Sequence, residues 1–387
     1  MRVALITPDG VSTYLFCQEI INTIQKNSLI TKLDVYVGDN DAKVELDRLN
    51  IKVKVFYMYR FFNPILDLIT IIHLIKLFKF GSYDAVLCFT TKPNIYGVIA
   101  AKIAGIEKIY FHVVGLGMVN LENTGIKAKL IKFTLKNLYK FSSSVADKVW
   151  FTNKNNVTEF LNDELIDSNK VVLTKNYLDT DYYHPKAYSS EEIIDFKEKL
   201  NIDQDSKVVV MVARMIWSKG VREFVDAADD IYKKNKNIQF ILIAPLQTGS
   251  LDAIPVDYAN SINDRKNIRW LGFQDNVRLF YALSDISVLP TYYQEGGYPR
   301  ALLEPMSMGK PVITTDNINC KGAVDHEESG LIIPQENSKA LSDAICQILS
   351  NDELMAKYGK NSRLKAVNEF NEKIVVKEAL ESLGLIY

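Results

Sequence analysis

Short apolar runs that alternate with helical patterns along the whole chain leave it few folds to choose from. In the first half the runs are Val3 to Thr7, Leu33 to Val37, Val53 to Tyr57, Ala85 to Phe89, Lys108 to Val113, Lys148 to Thr152 and Val171 to Leu173. In the second half they are Val208 to Val212, Phe240 to Ala244, Ile268 to Leu271, Ile286 to Leu289, Val312 to Thr315 and Leu331 to Ile333. Continuous apolarity means burial on both faces, and the intervening helices supply the crossovers that parallel neighbours need. The expected fold class is α/β, with two doubly wound, Rossmann-like parallel sheets. A chain of 387 residues is long for one core. Polar, proline-terminated Leu178 to Lys186 reads as the linker, giving domains 1–183 and 184–371. The last helix, 372–387, is expected to pack back onto the first domain. Ligand is expected in a cleft between the two.

Composition narrows the partners. Lys and Arg number 46 against 47 Asp and Glu, which argues against bulk electrostatic binding of nucleic acid. The four cysteines, at 17, 88, 320 and 346, lack paired spacing and fit a reducing compartment without a zinc site. The N-terminus runs straight into a strand pattern, not a signal peptide, so a cytoplasmic protein is expected. Phe61 to Phe78 is interrupted by Asn63, Pro64, Asp67, His73 and Lys76 and makes a poor membrane span.

The chemistry concentrates behind two strand patterns. Arg214-Met215-Ile216-Trp217-Ser218-Lys219-Gly220 follows the run ending at Val212, and Gln294-Glu295-Gly296-Gly297-Tyr298-Pro299-Arg300-Ala301-Leu302-Leu303-Glu304 follows the run ending at Leu289. Loops at the carboxyl ends of parallel strands are where open α/β sheets bind ligands, and a following helix aims unpaired N–H groups at an anion there. Two cations added to such a place suit a diphosphate, each charge-assisted hydrogen bond contributing about 1.5–3 kcal/mol. For either segment alone, surface charges and helix-capping glutamates are an equal explanation; their joint occurrence favours a site.

With Lys92 to Gly97, Val114 to Gly117 and Met308-Gly309-Lys310-Pro311-Val312-Ile313, these segments resemble the retaining glycosyltransferases of family 4, whose fold is GT-B, two Rossmann-like domains facing a central cleft. The likeness is strongest to bacterial N-acetylhexosaminyltransferases that extend polyprenyl-diphosphate-linked sugars. It implies a UDP-N-acetylhexosamine donor, N-acetylgalactosamine favoured, and a polyprenyl-diphosphate-linked acceptor. It also implies work at the cytoplasmic face of the inner membrane, without a metal or other cofactor. By resemblance Arg214 and Lys219 hold the donor diphosphate, Glu295 with Gly296, Gly297, Tyr298, Pro299 and Arg300 meets the donor sugar, Glu304 accepts from the ribose, and Gly272 and Phe273 meet the base. On the acceptor side it implies Asp9, Gly10, Val11, Asn94, His112, Gly115 and Gly117.

The chain departs from the family in two places. Relatives space their glutamates as Glu-x7-Glu, whereas an extra residue separates Glu295 from Glu304, and an outward bulge at Gly296 would let Glu295 keep its role. Relatives also carry a histidine directly before a glycine, where His112 sits two residues early; a lone histidine on a short apolar strand is more often packed than catalytic. Asp179-Thr180-Asp181 suits a turn better than a metal site. Lys127, Lys129, Lys132, Lys136 and Lys140 are interleaved with apolar residues in a basic amphipathic pattern, read as a membrane-surface helix or as a core-packed helix with a solvated lysine face. Phe61 to Phe80 is a possible second membrane contact. Rival readings are a glycoside hydrolase using Glu295 and Glu304, a nucleotide-sugar epimerase, and a binding protein without turnover. A dinucleotide oxidoreductase lacks its glycine motif after the first strand.

Overall fold

Strands buried on both faces recur throughout the computed structural model, which describes residues 1–39, 41–59, 62–114, 126–247 and 250–386. The first set is β1 (Arg2–Thr7), β2 (Lys32–Val37), β3 (Val53–Val55), β4 (Ala85–Phe89), β5 (Lys108–Val113), β6 (Lys148–Phe151) and β7 (Val171–Leu173). They form one parallel sheet in the order β3-β2-β1-β4-β5-β6-β7. The second set is β8 (Lys207–Val212), β9 (Ile238–Ile243), β10 (Ile268–Trp270), β11 (Ile286–Leu289), β12 (Val312–Thr315) and β13 (Gly330–Ile333). Its parallel order is β10-β9-β8-β11-β12-β13. Both are doubly wound Rossmann-like sheets, as the alternation of runs and helices led us to expect. In each the order reverses beside the first strand, between β1 and β4 and between β8 and β11, and that reversal opens a crevice at the strands' carboxyl ends.

The chain divides into two compact units, Met1–Lys175 with Lys373–Tyr387, and Asn176–Glu372. Sequence placed the first boundary at 183/184; the structure gives residues 176–183 to the second unit because Leu178 bridges Asn371 and Leu178 N–H donates to Phe370 O at 2.9 Å.

In the first unit one sheet face packs Val86, Cys88, Phe111, Val149 and Phe151 against Leu74, Phe78, Tyr139 and Phe160 from the surrounding helices. In the second, Val209, Met211, Phe240, Val288 and Ile313 pack with Phe224 and Ile231 of helix Val221–Lys234 and with Ile345 of helix Ser338–Leu349. Removing one such buried aromatic would be expected to cost about 3–5 kcal/mol. Rigid sheets of this kind hold the loops at the strand ends in fixed register.

Candidate active site

The loop after β8 and the loop after β11 are pinned to one another. Gly220 begins helix Val221–Lys234 at φ +81°, and a Cβ there would lie 2.1 Å from Pro290 O. Only glycine accepts both that dihedral and that approach. Ser218 O receives the N–H groups of Tyr292 (2.8 Å) and Tyr293 (2.9 Å), and Ser218 itself is held by Asp252, whose Oδ1 lies 3.3 Å from Ser218 N.

These contacts bring Lys219 and Glu295 together. Both are buried, and Lys219 Nζ donates to Glu295 Oε1, which also accepts from Thr291 Oγ1 at 3.0 Å. Arg214 is exposed at the rim, with its guanidinium 4.7 Å from the centre of the Tyr293 ring. Lys219 Nζ lies 4.9 Å from the same ring. Tyr293 is thus a shared π surface for both cations, a favourable electrostatic placement. Asn317 Nδ2 donates to Tyr293 O at 2.8 Å and Asn319 Nδ2 to Glu295 O at 2.7 Å, so the loop backbone is fixed from the far side as well. Sequence reasoning missed Thr291, Tyr293, Asn317 and Asn319, because neutral polar residues carry no spacing signature. The aromatic pair following Thr291 was the available signal.

The two glycines that follow Glu295 differ in setting. Gly296 is exposed and Gly297 is buried at φ +119°. Tyr298 then turns inward, its ring 5.6 Å from that of Phe370 and its carbonyl receiving Asn176 Nδ2 at 2.8 Å. Helix Arg300–Ser307 starts directly after Pro299. In it Glu304 is buried and pairs with Arg300, Nε to Oε1 at 3.1 Å. The Tyr183 phenol is pushed well above its ordinary value by burial, with the Glu304 carboxylate adding to the effect. Glu304 therefore sits in a separate, tyrosine-lined cluster from Glu295. At the end of β10, Gly272 is at φ +63° with open space around it and Phe273 is 69% exposed, an arrangement open to a planar ring.

The first unit's strand ends are built differently. Asp9 caps helix Gly10–Phe16, its side chain accepting from Ser12 N at 2.5 Å, and Gly10 N donates to Asp39 Oδ1 at 3.3 Å. Val11 is 45% exposed. Thr90, next after β4, has φ +70°, a strained setting for a β-branched residue. Asn94 is buried and donates to His112 O at 2.8 Å. His112 is buried between Phe89 and Trp150, stacked on the latter at 4.1 Å, and neither ring nitrogen has a partner among the described residues. Burial pushes its pKa down to about 3, which keeps the ring neutral. Gly115 and Gly117 lie outside the described residues. Asp179 Oδ1 accepts from Asp181 N and Tyr182 N at 2.8 Å, a turn. Among the described residues no group of three His, Cys, Asp or Glu side chains is placed to hold a metal ion.

The lysine-rich pattern forms helix Ile126–Val145. Lys136 pairs with Asp163, and Lys140 lies 3.8 Å from Glu164, while Lys129 is exposed and Lys132 half-buried. The side chain of Lys127 lies outside the described residues.

Residues 192–365 match the family model for glycosyl transferases group 1, and residues 2–153 match that for glycosyl transferase 4-like proteins. The chain is 29% identical, over 98% of both chains, to the N,N'-diacetylbacillosaminyl-diphospho-undecaprenol alpha-1,3-N-acetylgalactosaminyltransferase of Campylobacter jejuni. It is 27% identical, over 84% of this chain and 82% of the other, to the UDP-Gal:alpha-D-GlcNAc-diphosphoundecaprenol alpha-1,3-galactosyltransferase of Escherichia coli. Among solved structures, HepE of Anabaena in complex with UDP superimposes with a TM-score of 0.78 at 18% identity, covering 100% of both chains.

Proposed function

From the premise that the chain belongs to the GT-B glycosyltransferases of the group 1 and 4-like families, we propose that it transfers an N-acetylhexosamine from a UDP-sugar to a polyprenyl-diphosphate-linked saccharide, with retention of anomeric configuration. N-acetylgalactosamine is the favoured sugar, because the Campylobacter relative that the chain matches along nearly its full length carries that name. The observation that carries the reading is the convergence of Arg214, Lys219 and Glu295 around Tyr293 at the reversal of strand order. A diphosphate laid against Arg214 and Lys219 meets two cations and the N-terminus of helix Val221–Lys234. Its arrival competes for the Lys219 ammonium, and the freed lone pairs of Glu295 then accept from sugar hydroxyls. As the bond from sugar to phosphate breaks, the charge that develops on the leaving diphosphate falls where these cations already stand. Such preorganised electrostatics is the main catalytic contribution of these residues. No protein side chain is assigned as general base; the donor phosphate takes that role. Turnover in excess EDTA is expected to equal that in buffer.

A lipid-linked acceptor supports peripheral work at the cytoplasmic face of the inner membrane. Among the described residues no helix is long and apolar enough to cross a membrane. Galactose is the second reading for the sugar, favoured by the E. coli relative. A panel of UDP-sugars against short polyprenyl-diphosphate-sugar acceptors, with the product linkage read by NMR, tests the proposal. Donor epimerisation without acceptor, or glycan hydrolysis without nucleotide, would overturn it.

A further inference from the structure

Helix Pro64–Gly81 is predominantly apolar, and its apolar residues are spread around the axis instead of gathered on one face. Thr70, Leu74 and Phe78 face the core. On the opposite side Ile65 is 74% exposed, Leu68 56%, Ile69 46% and Ile72 45%, at the i, i+3, i+4, i+7 spacing of one stripe. A surface helix ordinarily turns a polar face outward, and a contiguous aliphatic stripe in its place marks an interaction site. The stripe is a fixed part of the fold. Asn63 caps the helix by accepting from Ile65 N (3.1 Å) and Leu66 N (3.2 Å). Buried Asp67 binds Lys92 Nζ at 2.5 Å and accepts from Tyr96 O–H at 2.9 Å. Because both faces are apolar, hydrophobicity alone does not choose which one turns inward; an unpaired buried carboxylate would be expensive, so the Asp67 cluster chooses it.

The charges around the stripe identify its occupant. Lys76 and Lys79, both exposed, continue its line toward the C-terminus. Helix Val98–Ala104, which packs beside it, exposes Lys102 and Ile103, and the next helix of the layer, Ile126–Val145, exposes Lys129, Leu130 and Phe133. Asp67, buried on its lysine, is the one acidic residue in the sequences of these three helices. Aliphatic side chains bordered by lysines, on helices that themselves carry no exposed acid, fit an anionic bilayer surface, where each lysine contributes about 1 kcal/mol and the apolar side chains enter the acyl boundary. We propose that the Ile65–Ile72 stripe is the element of this protein that inserts into the membrane surface, and that helix Ile126–Val145 supplies charge at its edge. This inference rests on the peripheral membrane contact proposed above and names its inserted part.

The test uses the full chain and vesicles of phosphatidylcholine with or without phosphatidylglycerol. Ile69→Trp is expected to shift its emission to the blue on vesicles containing phosphatidylglycerol and to be quenched by brominated lipid. The combined substitution of Ile65, Leu68, Ile69 and Ile72 by Ser is expected to weaken co-sedimentation with those vesicles by about tenfold or more. It should leave transfer to a water-soluble, short-chain acceptor unchanged. Unaltered sedimentation of the serine variant, with no spectral shift for Ile69→Trp, overturns the proposal. So does a dimer that the serine variant dissociates while vesicle binding persists, which would give the face to a second copy. Vesicle binding that depends on the stripe, in a protein without transferase activity on either acceptor, would support the insertion and reject the enzymatic reading alone.

Discussion

Where strand order reverses, the second unit gathers Arg214, Lys219 and Glu295, whereas the first gathers a capping aspartate, a strained threonine and a buried asparagine. The two sheets share an order through their first six strands, so topology alone does not create the difference. In the second unit formal charges stand ready before any ligand arrives, held by a π surface and by backbone clamps. In the first unit the polar groups are neutral or already used, and His112 is kept uncharged by burial. One crevice therefore carries two cations and a carboxylate, and the other mostly neutral or capped polar groups. The lesson is that a doubly wound sheet offers a place for chemistry, while the loop residues set its sign.

Substitutions in the charged crevice should break this contrast most strongly. Lys219→Ala is expected to lower kcat/KM by about 100-fold. It should also destabilise the second unit by about 3–5 kcal/mol in urea titrations, since Glu295 is left buried without its counter-charge. Adding Glu295→Gln should restore stability without restoring activity, and a double variant that recovers both would remove Lys219 from the phosphate role. Gly220→Ala forces a Cβ against Pro290 O at positive φ, so it should lower stability by about 1–3 kcal/mol and raise donor KM about tenfold.

Two smaller effects sharpen the comparison. Tyr293→Leu should raise donor KM about threefold to tenfold with Tyr293→Phe near wild type, because the ring face, not the hydroxyl, meets the cations. Equal kinetics for both variants would leave the ring without a part in cation placement. His112→Phe should change turnover least, within about twofold, since the ring is packed on Trp150. Its signature is in stability. The folded pKa, about 3, lies below the ordinary 6.5, so the unfolded chain binds the extra proton and stability falls as pH drops through that window. The slope from this group is at most about 1.4 kcal/mol per pH unit. His112→Phe should flatten that acid limb, and identical slopes in the two proteins would show that the imidazole titrates normally.

Both sheets were legible because fully buried strands write their position as continuous apolar runs. Lys219 and Arg214 were singled out in the sequence because their segment recurs with a second one at a corresponding strand end, and the structure sets both against Tyr293. The pairing of Lys219 with Glu295 was not, since it depends on how two loops distant in sequence are laid against each other. The Arg300–Glu304 pair was equally hidden; its i, i+4 spacing reads as an ordinary helix pair, and its burial emerges only from the packing around Tyr183. In helix Pro64–Gly81 the polar interruptions argued against a membrane span, and Asp67 indeed turns inward. The exposed aliphatic stripe was hidden because the apolar residues of this helix are spread around its axis and carry no directional pattern.

The contact between Gly220 and Pro290 bears on how sequences of this kind diversify. Because the chain from Pro290 to Glu295 is tied at Pro290 O, at the amides of Tyr292 and Tyr293 and at the carbonyls of Tyr293 and Glu295, a residue inserted within it would shift the carboxylate out of reach of Lys219. Past Glu295 the backbone is looser, with Gly296 in solvent and Gly297 at a dihedral that suits glycine. A residue inserted past Glu295 is accordingly expected to disturb the Lys219–Glu295 pair less than one inserted between Pro290 and Glu295.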